Sequence, residues 1–376
     1  MNETILHEPY VVPPGQREVT GRFLAAPDFR LRGGNIADGG TAMGMITVPP
    51  GAGWVRIEAE VIGSPHLDPN SQDWTLRDVR GIHAVLTRDI TIKNSRFSDL
   101  PRAGIMLAGV EGADISHTHS ERCNSLLDAS YFTGPAMVRN RGIHVHGFCT
   151  HRNGRSHLFP DLPHVYSVLD RSRWAGGMGI YLVAEDSEVV DFAVLGECNG
   201  CVKTVDGRNV RIARCIGNQF MLQGSCYWSP QDGPNAGTIP WPFGPKSRAK
   251  GIVIEDCLIH PRLTAHRFYE ILEFGGNGIQ LSYPQENTLI RNNHLWWEQG
   301  SYPTQHSAIQ LAEGAEATLT GNVFHQATPE SHHAIWNAPG NLPQANGFHG
   351  DSSPDRWPSK IINADWRTAN QFSPQD

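Results

Sequence analysis

The sequence predicts an all-β fold: a single-stranded right-handed parallel β-helix, a solenoid with an N-terminal cap and long loops. Three observations carry that expectation. A short strand of the form apolar–x–apolar recurs along the chain, and it returns at spacings of 22 to 26 residues. Glycine (39) and proline (26) are abundant among the 376 residues, and no long helical periodicity interrupts them. Length alone would favour two domains, but in a solenoid each coil packs only on its neighbours, so one core can grow along an axis.

Residues 1–85 repeat weakly between Pro/Gly-rich turns and are expected to form an N-terminal cap with the first coils. An open solenoid end exposes unpaired strand edges, which is why a cap is needed. Residues 86–340 carry the β-helix. One strand type follows Gly or Ala: Gly104-Ile-Met-Leu107, Gly142-Ile-His-Val145, Gly179-Ile-Tyr-Leu182, Gly278-Ile-Gln-Leu281, Ala308-Ile-Gln-Leu311 and Ala334-Ile-Trp-Asn337. A second type lies between them, as in Asp89–Phe97, Ile252–Ile259, Thr288–Leu295 and Ala317–Phe324. From Ile105 to Leu127, and from Ile180 to Val202, the step is 22 residues; from Ile309 to Ile335 it is 26. Leucine-rich repeats need a different leucine spacing and helical segments, and a propeller needs four strands per ~40–45 residues. Asn94, Asn293 and Asn322 recur just past the second strand, where a bend of left-handed backbone favours Asn. Two long excursions, Gly224–Ala249 and Pro261–Gly276, are rich in aromatic and charged residues and suit groove walls or subunit contacts. Residues 341–376, dominated by Pro, Asn, Ser and Asp, are expected to be a tail without strand character.

Charge and composition exclude some classes. A net charge of -7 argues against nucleic acid, whose binding needs clustered Lys and Arg. No run of 18 apolar residues occurs, so no membrane partner is expected. Seven scattered cysteines suit buried free thiols in a reducing compartment. With no signal-peptide pattern at the N-terminus, the expected localisation is cytoplasmic, or secreted if a leader was removed. Cys198-x-x-Cys201 lacks a second pair, and His117, His119 and Glu121 alternate as a solvated strand would, so neither a metal nor another cofactor is expected.

Alternate residues of a strand face opposite ways, so the residue between the two apolar ones faces out. This gives an outward column: Met106, Asp128, His144, Tyr166, Tyr181, Lys203, Met221 or Gln223, Gln280, Gln310 and Trp336. Aromatic faces can stack on sugar C–H faces, and amides and carboxylates can bond hydroxyls. The candidate substrate-binding residues are therefore Lys203, Tyr181, Asp206, Gln223, Trp228, Asp128, His144, Gln280 and Glu270.

The sharpest local pattern is Tyr181-Leu-Val-Ala-Glu-Asp186, then eleven residues to Glu197 within Gly196-Glu-Cys-Asn-Gly-Cys-Val202, followed by Lys203. Over about 30 residues this resembles the inulin fructotransferases and difructose dianhydride hydrolases, trimeric parallel β-helix enzymes with a comparable Ala-Glu-Cys-Gly-Asn-Cys-Val stretch. The resemblance implies that Asp186 and Glu197 are the catalytic pair, acting on fructosidic bonds of an oligosaccharide or polysaccharide. Lys203 departs from it, standing near where that family has an acidic residue. Two carboxylates suit the chemistry: one protonates the leaving oxygen, the other deprotonates the attacking hydroxyl or balances an oxocarbenium-like charge. Glu197, between apolar Leu195 and Cys198, is the expected acid. Asp186 follows its strand while Glu197 precedes the next, which puts them roughly 15–20 Å apart within one chain at ~3.3 Å per residue. Either a bend brings them together, or the site combines residues of two neighbouring subunits, as a homotrimer would allow. Two other classes remain open: a polysaccharide lyase using Lys203, Arg208 and Asp206 on a uronate glycan, and a glycan-binding adhesin or tailspike-like stem.

Overall fold

The structure is a computed structural model. It describes residues 2–33, 44–68, 71–132, 138–153, 178–196, 200–217, 220–223, 249–260, 278–282, 285–297, 307–311, 315–326, 333–337, 360–362 and 364–373. The chain divides into two units, residues 1–202 and 203–376, taken separately below. The fold is a right-handed parallel β-helix, and the one α-helix among the described residues is Trp74–Arg77.

Three parallel ladders build the first unit, one more than the two strand types visible in sequence. The first ladder stacks Tyr10, Ile46, Ile82, Ile105, Leu127 and Ile180 in register. The second stacks Val19, Ile57, Ile92, Ile115, Val145 and Val189. Along the third run Phe23, Val61, Phe97, Ser120, His151 and Val194. From Val19 onward the residues of the second and third columns are buried, as are Ile46 to Ile180 of the first. Burying a large apolar side chain stabilises by about 1.5–3 kcal/mol, so each coil adds several such increments. The second unit repeats the plan: Phe220, Ile279, Ile309 and Ile335; Ile212, Ile254, Ile290 and Leu319; Ile259, Leu295 and Phe324.

Past the first two coils, where Glu18–Ala25 and Val55–Ile62 each run through both ladders, the described coils turn from the second ladder to the third through one residue of left-handed backbone: Asn94, His117, Phe148 and Asp191 in the first unit, Arg214, Asp256, Asn292 and Gly321 in the second. The residue after each one is buried, being Ser95, Thr118, Cys149 and Phe192, then Cys215, Cys257, Asn293 and Asn322. This corrects the sequence expectation for two of the three asparagines. Asn94 is left-handed, whereas Asn293 and Asn322 point into the core. There they form a ladder with Asn370: Asn293 Nδ2 donates to Asn322 Oδ1 at 3.0 Å, and Asn322 Nδ2 donates to Asn370 Oδ1 at 2.8 Å. The same amides also donate to the carbonyls of Ile254 and Ile290, so buried backbone is satisfied by side chains at the bend.

Other expectations are corrected too. Met106 is buried, as are His83 and Thr47 in its column, so the outer face of the first ladder is covered at these coils and opens at exposed Val11 and at half-buried Asp128 and Tyr181. His144 does not belong to that column, because Asn140–His146 pairs in the second ladder. The tail carries two short strands, Lys360–Ile361 and Gln371–Ser373, which extend the second and third ladders of its unit. At the other end, pairing already begins at Glu3. Cys123, Cys149, Cys201, Cys215 and Cys257 are buried. Tyr166 and nearly all of both long excursions lie outside the described residues.

Candidate functional site

The second ladder of the first unit carries a shallow outer groove of about 520 Å³. Its floor follows from backbone geometry. Where each coil turns onto this ladder, one residue takes left-handed backbone, and in successive coils it is Asp89, Gly112, Gly142 and Asp186. Asp tolerates that conformation through local hydrogen bonding and Gly through lack of a Cβ. Two glycines between two carboxylates leave a notch: a Cβ on Gly142 would meet only Gly112, at 3.7 Å. The residue just before each is Arg88, Glu111, Arg141 and Glu185, so charge alternates along the ladder.

Side chains close the groove by pairing across coils. Arg141 donates from Nε to Asp186 Oδ2 at 3.0 Å, and its Nη2 lies 2.9 Å from the same oxygen. His144 Nδ1 is 3.3 Å from Glu188 Oε1, and His146 Nε2 is 2.7 Å from Asp114 Oδ1. Lys93 Nζ sits 3.4 Å from the other Asp114 oxygen. Thr91, Asp114, His144 and Glu188 form one outward column. These groups are part-exposed, so each pair adds little stability in water, about 0–1 kcal/mol. Together they offer a polar trough of donors and acceptors suited to hydroxyl-rich ligands, with Asp186 held as an anion-side partner of Arg141.

The groove thus brings together two residues named from sequence, Asp186 and His144. Asp128 and Tyr181 meet elsewhere, as direct partners on the first ladder, with Ser130 donating to the Asp128 carboxylate. In the second unit, Lys203 is half-buried on strand Gly200–Val205, and Asp206 is buried at the left-handed bend that follows. Gln280 pairs with Met221 and Gln310, and Gln223 pairs with Ser282. Glu197, Trp228 and Glu270 lie outside the described residues.

Sequence reasoning missed a buried arginine before the first ladder. Arg80 is 8% exposed; its Nη1 donates to the Asp78 carbonyl at 2.7 Å, while its Nε is buried without a hydrogen-bond partner. Burial lowers the guanidinium pKa, opposed by the charges of Asp128 and Asp78. Arg102 and Arg77 both bond the Asp78 carboxylate, at 2.8 and 3.0 Å. The signal was the return of Asp and Arg one coil apart, at Asp78-Val-Arg80 and Arg102.

No family model matches the chain, and no curated protein matches it. Among solved structures it is similar to the tailspike protein of E. coli bacteriophage HK620 in complex with pentasaccharide, at 10% identity, with TM-score 0.51, over 99% of this chain and 59% of that one. A double mutant of the same tailspike, also with pentasaccharide, gives 10% identity and TM-score 0.50 over 97% and 60% of the two chains. The catalytic domain of a GH87 alpha-1,3-glucanase in complex with nigerose aligns at 11% identity and TM-score 0.36 over 100% and 63%. The chain spans about 60% of the length of the tailspike chains. At such identities the tailspike likeness shows the parallel β-helix fold.

Proposed function

We propose that this protein is a carbohydrate-active enzyme that cleaves or forms glycosidic bonds in the groove of the second ladder. One observation carries the proposal: Asp186, singled out from sequence as a catalytic carboxylate, lies in that groove with His144, Arg141 and Asp114 over a glycine floor. The tailspike bound to pentasaccharide supports it as a β-helix neighbour that holds a glycan. In this scheme Asp186, charge-paired with Arg141, deprotonates the attacking hydroxyl or balances developing positive charge, and Glu197 protonates the leaving oxygen. Fructosidic specificity, as in difructose dianhydride hydrolysis or intramolecular fructosyl transfer, rests on the resemblance around Asp186 and Glu197. So does the homotrimer with sites at subunit interfaces.

Ladder spacing constrains which carboxylates of the groove can work together. Coils repeat every ~4.8 Å, so Asp89 and Asp186, three coils apart, are separated by ~14 Å between Cα atoms. That exceeds the ~5–9.5 Å over which two carboxylates cooperate in glycoside hydrolysis. Asp114 and Glu188, two coils apart with His144 between them, are ~9.6 Å apart between Cα atoms, at the upper edge of that range, and are the fallback pair of the groove.

A product panel on fructans, dianhydrides and uronate polymers is the test. Sugar or dianhydride products without new ultraviolet absorbance are expected, and Asp186→Asn and Glu197→Gln should each lose about 10²–10⁴-fold in kcat/KM. Full activity in both variants overturns the pair. An unsaturated uronate product makes the protein a lyase, and glycan binding without turnover makes it an adhesin.

A further inference from the structure

The third ladder of the second unit carries a cluster on its outer face that the proposed function does not use. Trp296 stacks on His325 of the next coil, with ring centroids 4.2 Å apart and planes 12° from parallel. His260, from the preceding coil, packs on Trp296 at 5.3 Å and 30°. Rings from both neighbouring coils therefore cover Trp296, so the patch presents ring edges rather than a free face for a sugar to stack on. What those edges carry is nitrogen.

His294 and His325 sit on adjacent coils, with Nδ1 of the first 3.1 Å from Nε2 of the second and the rings 17° from parallel. We infer that this pair is a binding site for a divalent transition-metal ion such as Ni²⁺, Zn²⁺ or Cu²⁺. Metal–imidazole bonds run about 2.0–2.1 Å, so two cis ligands stand about 3.0 Å apart at a right angle and about 3.4 Å at a tetrahedral one. The observed 3.1 Å falls between the two; without an ion the contact is a hydrogen bond between the two rings, and the ion takes the place of its proton.

The surroundings favour a fixed pair. Stacking on Trp296 orients the His325 ring. His294 is exposed and can accept an ion from solvent, with Leu258 and Val323 as its direct ladder partners. Among the described residues no three His, Cys, Asp or Glu converge, so this pair supplies two ligands and water the remainder. An imidazole-only set selects borderline transition metals over Mg²⁺ or Ca²⁺.

Calorimetric titration of the full chain with Ni²⁺ at pH 7.5 tests this, with the double variant His294→Gln/His325→Gln as baseline and Mg²⁺ as a second titrant. The wild type should bind one more equivalent of Ni²⁺ than the double variant. Either single substitution should weaken that equivalent about tenfold or more, and Mg²⁺ should not fill it. Thermal melts of the variants check that they fold. Equal Ni²⁺ stoichiometry and affinity in the wild type and the folded double variant overturns the inference, as does an Mg²⁺ equivalent of matching affinity.

Discussion

His151 should make the fold acid-sensitive, by an amount that can be worked out. It occupies the inward column of the third ladder, in register with Ser120 on one side and Val194 on the other, and is fully buried. Nδ1 lies 2.8 Å from the Ser120 hydroxyl, and Nε2 has no hydrogen-bond partner. Burial alone pushes its pKa down to about 3. In an unfolded chain the value returns to about 6.5. Since the folded pKa is the depressed one, the unfolded chain binds the extra proton between pH 6.5 and 3. The contribution is whole above 6.5 and is lost as pH falls, at about 1.4 kcal/mol per pH unit. From pH 7 to pH 5 the loss from this one ring is about 2 kcal/mol, a sizeable share of a domain's ~5–15 kcal/mol. The control is His151→Leu, which keeps an apolar side chain of similar size and cannot titrate. Its stability at pH 7 drops because Ser120 loses its partner, but its change between pH 7 and pH 5 should be about 2 kcal/mol smaller than the wild type's. Urea-unfolding free energies at the two pH values measure this. Equal pH dependence in the wild type and His151→Leu refutes the reasoning, and so does an NMR titration of His151 near pH 6.5.

Three further outcomes follow from the same packing. Phe148 is 75% exposed with φ 60°, so Phe148→Gly relieves left-handed strain and should stabilise by about 1 kcal/mol, read as a rise in urea midpoint at unchanged m. Asn322→Leu strips the side-chain partner from the buried Asn293 N–H and the Ile290 carbonyl and leaves Asn370 Oδ1 only the backbone N–H of residue 322, and should cost about 3–5 kcal/mol in the same assay. Glu255 is 5% exposed and accepts from Arg211 Nε and Arg291 Nε, each at 2.6 Å. Burial would raise its pKa, but the two arginines outweigh burial and hold it below the ordinary value. Stability from a lowered carboxyl is present above the unfolded pKa and lost as pH falls. Glu255→Gln should therefore cost about 2 kcal/mol near neutral pH, discounted for arginines more than 40% exposed, and the gap should close on acidification below pH ~4.

Alternation and return distance were legible in the residues themselves. Ile105 and Leu127 are inward partners on one ladder, as their 22-residue step and the apolar–x–apolar pattern imply. Ladder membership was not legible. Gly142-Ile-His-Val145 has the form of a first-ladder strand, yet it pairs in the second. A period-two pattern specifies inward and outward but not which of three sides a strand occupies, since all three sides bury the same kind of residue. The third ladder escaped notice for a related reason: one left-handed residue separates it from the second, as Asn94 does, and in sequence the two strands run together.

The candidate site divides the same way. Asp186 and His144 were identifiable as outward polar residues, but that they share a groove depends on Gly112 and Gly142 falling between Asp89 and Asp186 in stacked coils. Outwardness also fails where other chain covers a face, as with Met106 and His83. The sequence by itself determined a β-helix, its inward columns and the residue types on its surface, because strand alternation and turn chemistry are local. Only the tertiary structure decided which surface residues meet, because coil lengths vary and pairing between coils sets the register. That register joins Arg141 to Asp186 across 45 residues and His294 to His325 across 31.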